Sequence, residues 1–181
     1  MGRGPLYDKG PALAYWGATE IAEIFEEIRW TLTSESGEVT EMKFGATPVD
    51  RVFFGYSACE VVIPATRIAL ATLATVLPGG TNSGGASGAV EVKVAGTGAE
   101  VGRSMYDNGR PLYIKPIEDG VAAANGRWLR LEHTYPEPNY DVEFNLTGQR
   151  VYGISFKALP DATTKQLFSL GKVAETDNTG Y

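Results

Sequence analysis

Cysteine and histidine are almost absent from this sequence of 181 residues, which contains one of each, Cys59 and His133. A single cysteine excludes an intrachain disulfide framework and a metal site built from several cysteines, and we expect Cys59 to be a small core residue. His133 has no second histidine or cysteine near it, and Glu132 and Asp141 do not stand at the spacing of metal ligands. We therefore assign no catalytic, metal-binding or cofactor-binding residue, and we expect the chain not to be an enzyme.

Long apolar runs are also missing. The most apolar stretch, residues 65–77, is about 13 residues long, short of the ~20 residues that a transmembrane helix needs. The first ten residues, MGRGPLYDKG, contain no apolar segment of the kind that marks a secretory signal. We therefore expect no membrane insertion and a chain that folds in a cytoplasm.

Positive charge is in deficit, since 16 lysines and arginines stand against 22 aspartates and glutamates, for a formal net charge of −6 and a pI near 4.9. Binding to a phosphate backbone depends on clustered lysine and arginine, so the composition argues against a nucleic-acid-binding protein. A hydrophobic content of 43% with 22 glycines is typical of a globular chain rich in turns. The length suits one well-buried domain with arms.

The apolar stretch 65–77 is the strongest helix prediction. Pro64 stands where the first helical turn needs no N–H, and the Pro-Gly-Gly run after Leu77 ends the pattern abruptly. The apolar residues recur at steps of three and four, and Arg67 is the only charge, so this helix must be buried by protein. The predicted organisation is an amino-terminal arm at 1–17, a main domain at 18–160 and a carboxyl-terminal arm at 161–181.

Most of the remaining chain is predicted to be β structure, because Val, Thr, Tyr and Phe are abundant and short alternating segments are separated by turn residues. Residues 21–33 and 39–44 are predicted to pair as a hairpin through a turn at 34–37. A further turn is predicted at 55–57, and the glycine-rich run at 79–88 is predicted to be a flexible loop. The other predicted elements are strands at 49–54, 59–63, 90–94, 112–117, 128–135, 141–146 and 149–156, and one or two helical turns at 163–170.

Several runs of residues carry a resemblance to a known family. They are FGATPVD from Phe44, VFFG from Val52, the helix that ends in VLPG, LYIKP from Leu112, RWLRLEHTYP from Arg127, GQRVYGISFKALPD from Gly148 and LFSLG from Leu167. Together they cover most of residues 44–171, and they are patterns of strand, turn and helix rather than active-site motifs. In these runs the chain resembles the major tail tube proteins of long-tailed, siphophage-type bacteriophages.

The resemblance implies a mainly β (α+β) fold, a β-sandwich or barrel with one flanking helix and extended amino- and carboxyl-terminal arms. It also implies a structural virion protein that assembles into stacked hexameric rings, which form the tail tube through which the genome passes. The implied partners are further copies of the chain, the tape measure, tail terminator and distal tail proteins, and double-stranded DNA that passes through the lumen without specific binding. The implied location is the virion tail, assembled in the host cytoplasm.

Under this hypothesis, subunit contacts are predicted for the hairpin at 24–44 and for both termini, because these segments carry apolar side chains without an obvious place in one domain. A contact between unlike surfaces closes into a ring, and the remaining apolar surface of the helix is expected to face an adjacent subunit. The candidate contact residues are Leu6, Tyr7, Tyr15, Trp16, Trp30, Leu32, Val39, Met42, Phe44, Leu70, Leu77 and Phe168.

Other classes of protein stay open. A tail-terminating ring or a secretion-system tube would share the fold and the composition, but would form single rings or rings that stack differently. A carbohydrate-binding β-sandwich would need exposed Trp and Tyr side chains on one face. A hydrolase would need His133 within hydrogen-bonding reach of an acid and a nucleophile.

Overall fold

The computed structural model of the chain describes residues 11–21, 24, 27–40, 48–66, 68–84, 90–94, 102–118, 121–122, 127–137, 141–142 and 151–171. The strands in these ranges are β1 (Ala12–Trp16), β2 (Thr19–Ile21), β3 (Arg29–Thr40), β4 (Pro48–Ala65), β5 (Gly80–Gly84), β6 (Val90–Val94), β7 (Arg110–Glu118), β8 (Val121–Ala122), β9 (Trp128–Pro136), β10 (Asp141–Val142), β11 (Tyr152–Leu159) and β12 (Phe168–Gly171). The helix α1 spans Leu70–Val76. No helix among the described residues is both long enough and apolar enough to cross a membrane.

Most of the strands belong to one antiparallel sheet in the order β2-β1-β7-β9-β11-β4-β3. The central strand is β9, in which Leu131 pairs with Leu112 of β7 on one edge and with Phe168 of β12 on the other. β11 pairs with β9 through Phe156 and Pro136. β10 adds to β11 and β8 adds to β7, while β5 and β6 form a separate two-stranded sheet. The predicted mainly β fold class with one helix is confirmed.

The sheet is strongly curved. Trp16 of β1 and Phe156 of β11 are separated by β7 and β9, which is three strand spacings of ~4.8 Å in a flat sheet. Their ring centroids are nevertheless 5.8 Å apart, and the Trp16 indole N–H donates a 3.3 Å hydrogen bond to the carbonyl of Thr134. The sheet therefore curls around a core that holds both rings.

The core is built from inward-facing residues of the curved sheet and from α1. Cys59 belongs to it with 3% exposure, and burial raises the pKa of its thiol, although Trp30 donates a hydrogen bond to the sulfur. The core assignment of Cys59 is therefore confirmed. The side chains with zero exposure in this cluster are Ala14, Val61, Ile63, Ala65, Leu112, Leu131 and Phe156.

The helix is shorter than predicted. Residues up to Ala65 complete β4, and α1 begins only at Leu70. Pro64 pairs with Gly153 of β11. The pairing of β3 with β4 ends at Val62, so β4 has no β3 partner at Pro64. The missing N–H of Pro64 is therefore tolerated there. α1 has no capping side chain and no acid in its first turn, so it is held by burial of its apolar face rather than by propensity.

The hairpin predicted between residues 21–33 and 39–44 is replaced by a different strand pairing, because residues 29–40 form the single strand β3. β3 continues through residues 34–37 without a turn, and it pairs with β4 over its whole length. The turns predicted at 34–37 and 55–57 are therefore wrong. A physical reason is visible at Gly37, where an added Cβ would lie 2.6 Å from the Phe54 ring. A glycine stands at position 37 because the Phe54 ring packs closely against its backbone, and not because the chain reverses there.

Other predicted elements compare as follows. The strands predicted at 90–94, 112–117 and 128–135 are confirmed as β6, β7 and β9. The loop predicted at 79–88 is wrong in part, since Gly80–Gly84 is β5 and pairs with β6. The prediction of helical turns at 163–170 is wrong for residues 168–170, which belong to β12 and pair with β9. The strand predicted at 141–146 is seen as β10, and residues 143–150 lie outside the described ranges.

Gly80→Ala should destabilise the junction between α1 and β5. A Cβ at Gly80 would overlap the carbonyl oxygen of Ala74 and lie 2.9 Å from that of Leu77, and backbone atoms must shift to admit it. We expect a loss of about 1–3 kcal/mol in the free energy of unfolding, measured by urea denaturation. Gly153→Ala is the matched control, because nothing lies within 4 Å of its added Cβ. Equal stabilities of the two variants would contradict this reading of Gly80.

Candidate assembly surface

β3 and β4 continue past the core as a two-stranded ribbon. We call residues 33–40 and 48–58 the outer hairpin. The side chains at 33–40 and 50–58 are exposed, apart from the half-buried positions Gly37 and Gly55. Eight residues of β3 at ~3.3 Å each extend roughly 25 Å. A two-stranded ribbon is only marginally stable alone in water, so this hairpin gains stability from any body that covers it.

The outer hairpin contains three register shifts. The pairs Thr33–Ala58 and Ser34–Tyr56 leave Ser57 as an extra residue on β4, and corresponding shifts leave Phe54 and Val49 as extra residues. These are β-bulges, which bend a strand, increase its twist and redirect side chains. They explain why this segment does not alternate cleanly between apolar and polar residues.

The bulges give the outer hairpin two apolar faces. Leu32 of β3 pairs with the buried residue Cys59 and faces the core. Side chains alternate along β3, so Ser34 and Ser36 lie on the same face as Leu32, and their partners Tyr56 and Phe53 share it. The rings of Phe53 and Tyr56 meet edge to face at a centroid distance of 5.2 Å. On the opposite face, the Phe54 ring lies against Gly37.

The aromatic side chains of the outer hairpin are the most exposed large apolar groups on this sheet edge. Phe54 is 69% exposed, Phe53 57% and Tyr56 53%, with Val39 and Val52 at 43% and 41%. Contiguous apolar surface of this kind marks sites of protein–protein contact. Because it occurs on both faces, a single flat partner cannot cover it.

The structure places most candidate contact residues elsewhere. Trp16 is 5% exposed and lies in the core, while Tyr15 lies beneath the amine of Lys115, 4.3 Å from its ring centroid. Trp30 and Phe168 pack on each other, with centroids 5.0 Å apart. Leu32 and Leu77 are half-buried beside the core, Leu70 and Val39 are 43% exposed, and Leu6, Tyr7, Met42 and Phe44 lie outside the described residues.

The sequence analysis did not include four residues of the outer hairpin among the contact candidates, namely Val52, Phe53, Phe54 and Tyr56. Their run VFFGY was assigned to a strand and a turn without regard to exposure. The available signal was the break in alternation, because three large apolar residues in sequence cannot all face the core from one strand. Only one of the twelve candidates, Val39, is a described residue of this surface.

His133 makes contacts that hold the fold together. Its ring stacks on Tyr106 with centroids 4.1 Å apart, and its Nε2 hydrogen-bonds the Tyr106 backbone oxygen. The Tyr106 hydroxyl accepts a 2.7 Å hydrogen bond from the Ala162 N–H. The hydrolase alternative required an acid and a nucleophile at His133, whereas the hydrogen bond described for it goes to a main-chain carbonyl.

The turn beside Ala162 is organised by Asp161. Its carboxylate accepts hydrogen bonds from the Thr164 N–H at 2.7 Å and the Thr163 N–H at 2.9 Å. These hydrogen bonds, that of Thr164 above all, lower the pKa of Asp161. The arrangement is a turn that positions β12.

The carbohydrate-binding alternative needs exposed tryptophan. All three tryptophans of the chain are described, and none is exposed: Trp16 and Trp128 are buried and Trp30 is half-buried. The Lys115 amine lies over the Trp128 ring, 4.1 Å from the ring centroid. Among the described residues, no group of three or more His, Cys, Asp or Glu side chains is placed to hold a metal ion.

A cleft of about 740 Å³ lies beside α1. Its lining is formed by residues 74–81, by residues 16–18 at the end of β1 and the β1–β2 turn, by the segment 103–110 that leads into β7, and by residues 135–136 at the end of β9. Charged groups at the cleft are Arg103, Asp107 and Arg110, and the Arg110 guanidinium lies 5.1 Å from the Trp16 ring centroid.

Comparison with solved structures identifies the fold. The structure of the tube-terminating cap of the anti-feeding prophage superposes with a TM-score of 0.51 at 9% identity, over 95% of this chain and 97% of that one. This chain has the fold of a tube-terminating cap. The sheath/tube terminator of an extracellular contractile injection system, called PVC, in its extended state gives a TM-score of 0.49 at 11% identity, over 87% of this chain and 94% of that one. No protein-family model matches the chain, and no curated protein sequence matches it.

Proposed function

We propose that the chain is a structural protein that forms a terminating ring at the end of a tube in a phage-like tail. The observation that carries the proposal is the fold shared with a tube-terminating cap over nearly the full length of both chains. The exposed aromatic residues on both faces of the outer hairpin support it independently, because a monomer would leave this apolar surface in water.

The terminating ring is favoured over the tail tube subunit of the sequence analysis. Both would self-assemble, and both would place the chain in the tail of a virion-like particle among other tail proteins. The fold likeness with a TM-score above 0.5 is to a cap that terminates a tube. A terminator needs one set of contacts around the ring and one toward the tube end, whereas a tube subunit must stack on itself without limit.

The acidic composition suits a ring through which nucleic acid or other cargo passes. A net charge of −6 gives little attraction for a phosphate backbone. Double-stranded DNA in the lumen would pass without specific binding, and the assembly needs no cofactor or catalytic residue.

Purified protein examined over a range of concentrations tests the proposal. A terminator is expected to give discrete closed rings in negative-stain electron micrographs and a limiting sedimentation coefficient as the concentration rises. Long tubes that grow with concentration would instead support the tube subunit. A chain that stays monomeric at all concentrations, both alone and when it is mixed with tail tubes, would contradict the terminator and the tube subunit alike.

A further inference from the structure

We propose that the outer hairpin of one copy docks on the cleft beside α1 of a second copy, with its aromatic side chains in the cleft, so that copies join head to tail. This inference rests on the ring-forming function proposed above. A head-to-tail contact joins two different surfaces, and it closes into a ring when the rotation between copies permits. The outer hairpin and the cleft would be those two surfaces.

Shape favours this pairing. The outer hairpin carries Phe53 and Tyr56 on one face and Phe54 on the other, so it needs apolar contact on two sides. The cleft is lined by several segments, namely the α1–β5 segment, the β1–β2 turn, residues 103–110 and the end of β9. A cleft lined by several segments can contact the aromatic rings of the outer hairpin from more than one side.

Size agrees as well. The volume of about 740 Å³ falls within the roughly 300–1,000 Å³ of clefts that enclose a compact ligand, so it can admit aromatic side chains of the outer hairpin, while the ribbon itself lies over the cleft. The lining includes Gly17, Gly79, Gly80 and Gly109, whose missing side chains leave room. The side chains of Phe53, Phe54 and Tyr56 are 53–69% exposed. Together they would bury on the order of 300–450 Å², which is about half of the ~800 Å² that each partner buries in a stable interface.

Charge is complementary between the two surfaces. The outer hairpin carries Glu35, Glu38, Asp50 and Arg51, which is three acids against one base. The cleft carries Arg103, Asp107 and Arg110, which is two bases against one acid. Opposite charges orient the partners and suppress wrong pairings. The same chain does not fill its own cleft with this hairpin, since Phe53, Phe54 and Tyr56 are exposed.

Cross-linking tests the contact. A chain carrying Ser57→Cys and Thr75→Cys places one thiol at an exposed position of the outer hairpin that is not an aromatic anchor, and one at an exposed position in the cleft lining. Cys59 is 3% exposed and can remain. Mild oxidation should give a ladder of covalent oligomers on a non-reducing gel. The control pair Ser57→Cys with Leu170→Cys, which is exposed on β12 outside the cleft lining, should give none.

Charge reversal supplies a second test. Arg103→Glu with Arg110→Glu should raise the dissociation constant of self-association about thirtyfold or more, the size of a lost hot spot. Glu35→Arg with Glu38→Arg should do the same, and the two sets combined should restore association. Thermal melts followed by circular dichroism verify that each variant is folded.

The outcomes separate the two proposals. Rings that form normally while the cysteine pair stays unlinked and the charge reversals have no effect would overturn the hairpin-in-cleft contact and leave the ring function standing. Absence of any self-association would overturn both.

Discussion

Phe53→Ser combined with Phe54→Ser should abolish ring assembly and leave a folded monomer. The two side chains lie on opposite faces of the outer hairpin and are 57% and 69% exposed. Aromatic anchors at interface centres contribute about 2 kcal/mol or more each, so their joint loss should weaken association roughly a thousandfold. Because both rings are mostly in water in the monomer, we expect a change of about 1 kcal/mol or less in the free energy of unfolding. Sedimentation velocity and a thermal melt measure the two quantities.

A matched pair of substitutions controls for the loss of exposed apolar surface. Val94 and Leu170 are 53% and 68% exposed, and they lie on β6 and β12, away from the outer hairpin. Val94→Ser combined with Leu170→Ser should assemble like the unmodified chain. Rings from the Phe53 and Phe54 variant, or an equal loss in the control, would show that the outer hairpin is not the assembly surface.

Leu73→Asp should prevent the chain from folding. Leu73 is 8% exposed and faces the core from α1. Removing a buried leucine side chain costs about 2–5 kcal/mol, and burying an unpaired carboxylate adds several more. The sum is comparable to the ~5–15 kcal/mol that stabilises a typical domain. The soluble fraction after expression and the circular dichroism spectrum report the result.

Leu70→Asp is the control for the same chemical change on the same helix. Leu70 is 43% exposed at the first position of α1, where a negative charge interacts favourably with the helix dipole by a few tenths of a kcal/mol. This variant should fold with a melting temperature close to that of the unmodified chain. A Leu73→Asp protein that is soluble and folded would mean that α1 is not part of the core.

The central strands could be predicted from sequence because their pattern is local. In β9, the buried residues Leu129 and Leu131 alternate with the half-buried, charged residues Arg130 and Glu132, and this alternation is the property on which strand prediction depends. Burial of Cys59 was expected on a different ground, because a free cysteine behaves as a small hydrophobic residue. The fold class was therefore within reach of the sequence alone.

The hairpin and the helix start depended on contacts between distant segments. The sequence SESG at 34–37 has the composition of a turn, but its backbone pairs with β4, some 20 residues further along the chain. Pairing partners of this kind are set by tertiary structure and not by local preference. Likewise, the apolar residues before α1 fit both a helix and a buried strand, and the ladder to β11 decides for strand up to Ala65.

The exposure of the aromatic residues at 53–56 was not predicted, because exposure does not follow from residue type alone. Phe53 and Phe54 have the composition of a core strand, and the available sign of their exposure was the broken alternation that accompanies the β-bulges. Trp16 shows the reverse case. It was placed on an arm because glycine and proline surround it, and its indole instead fills the centre of a curved sheet.

The location of the chain in an assembled particle tests the central claim most directly. Particles purified from cells that produce the protein with a surface-accessible tag can be labelled with gold-conjugated antibody and imaged by electron microscopy. A terminating ring predicts gold at one end of each tube and nowhere along its length. Gold distributed along the whole tube would identify a tube subunit, and particles without gold would contradict a place for this chain in the tail.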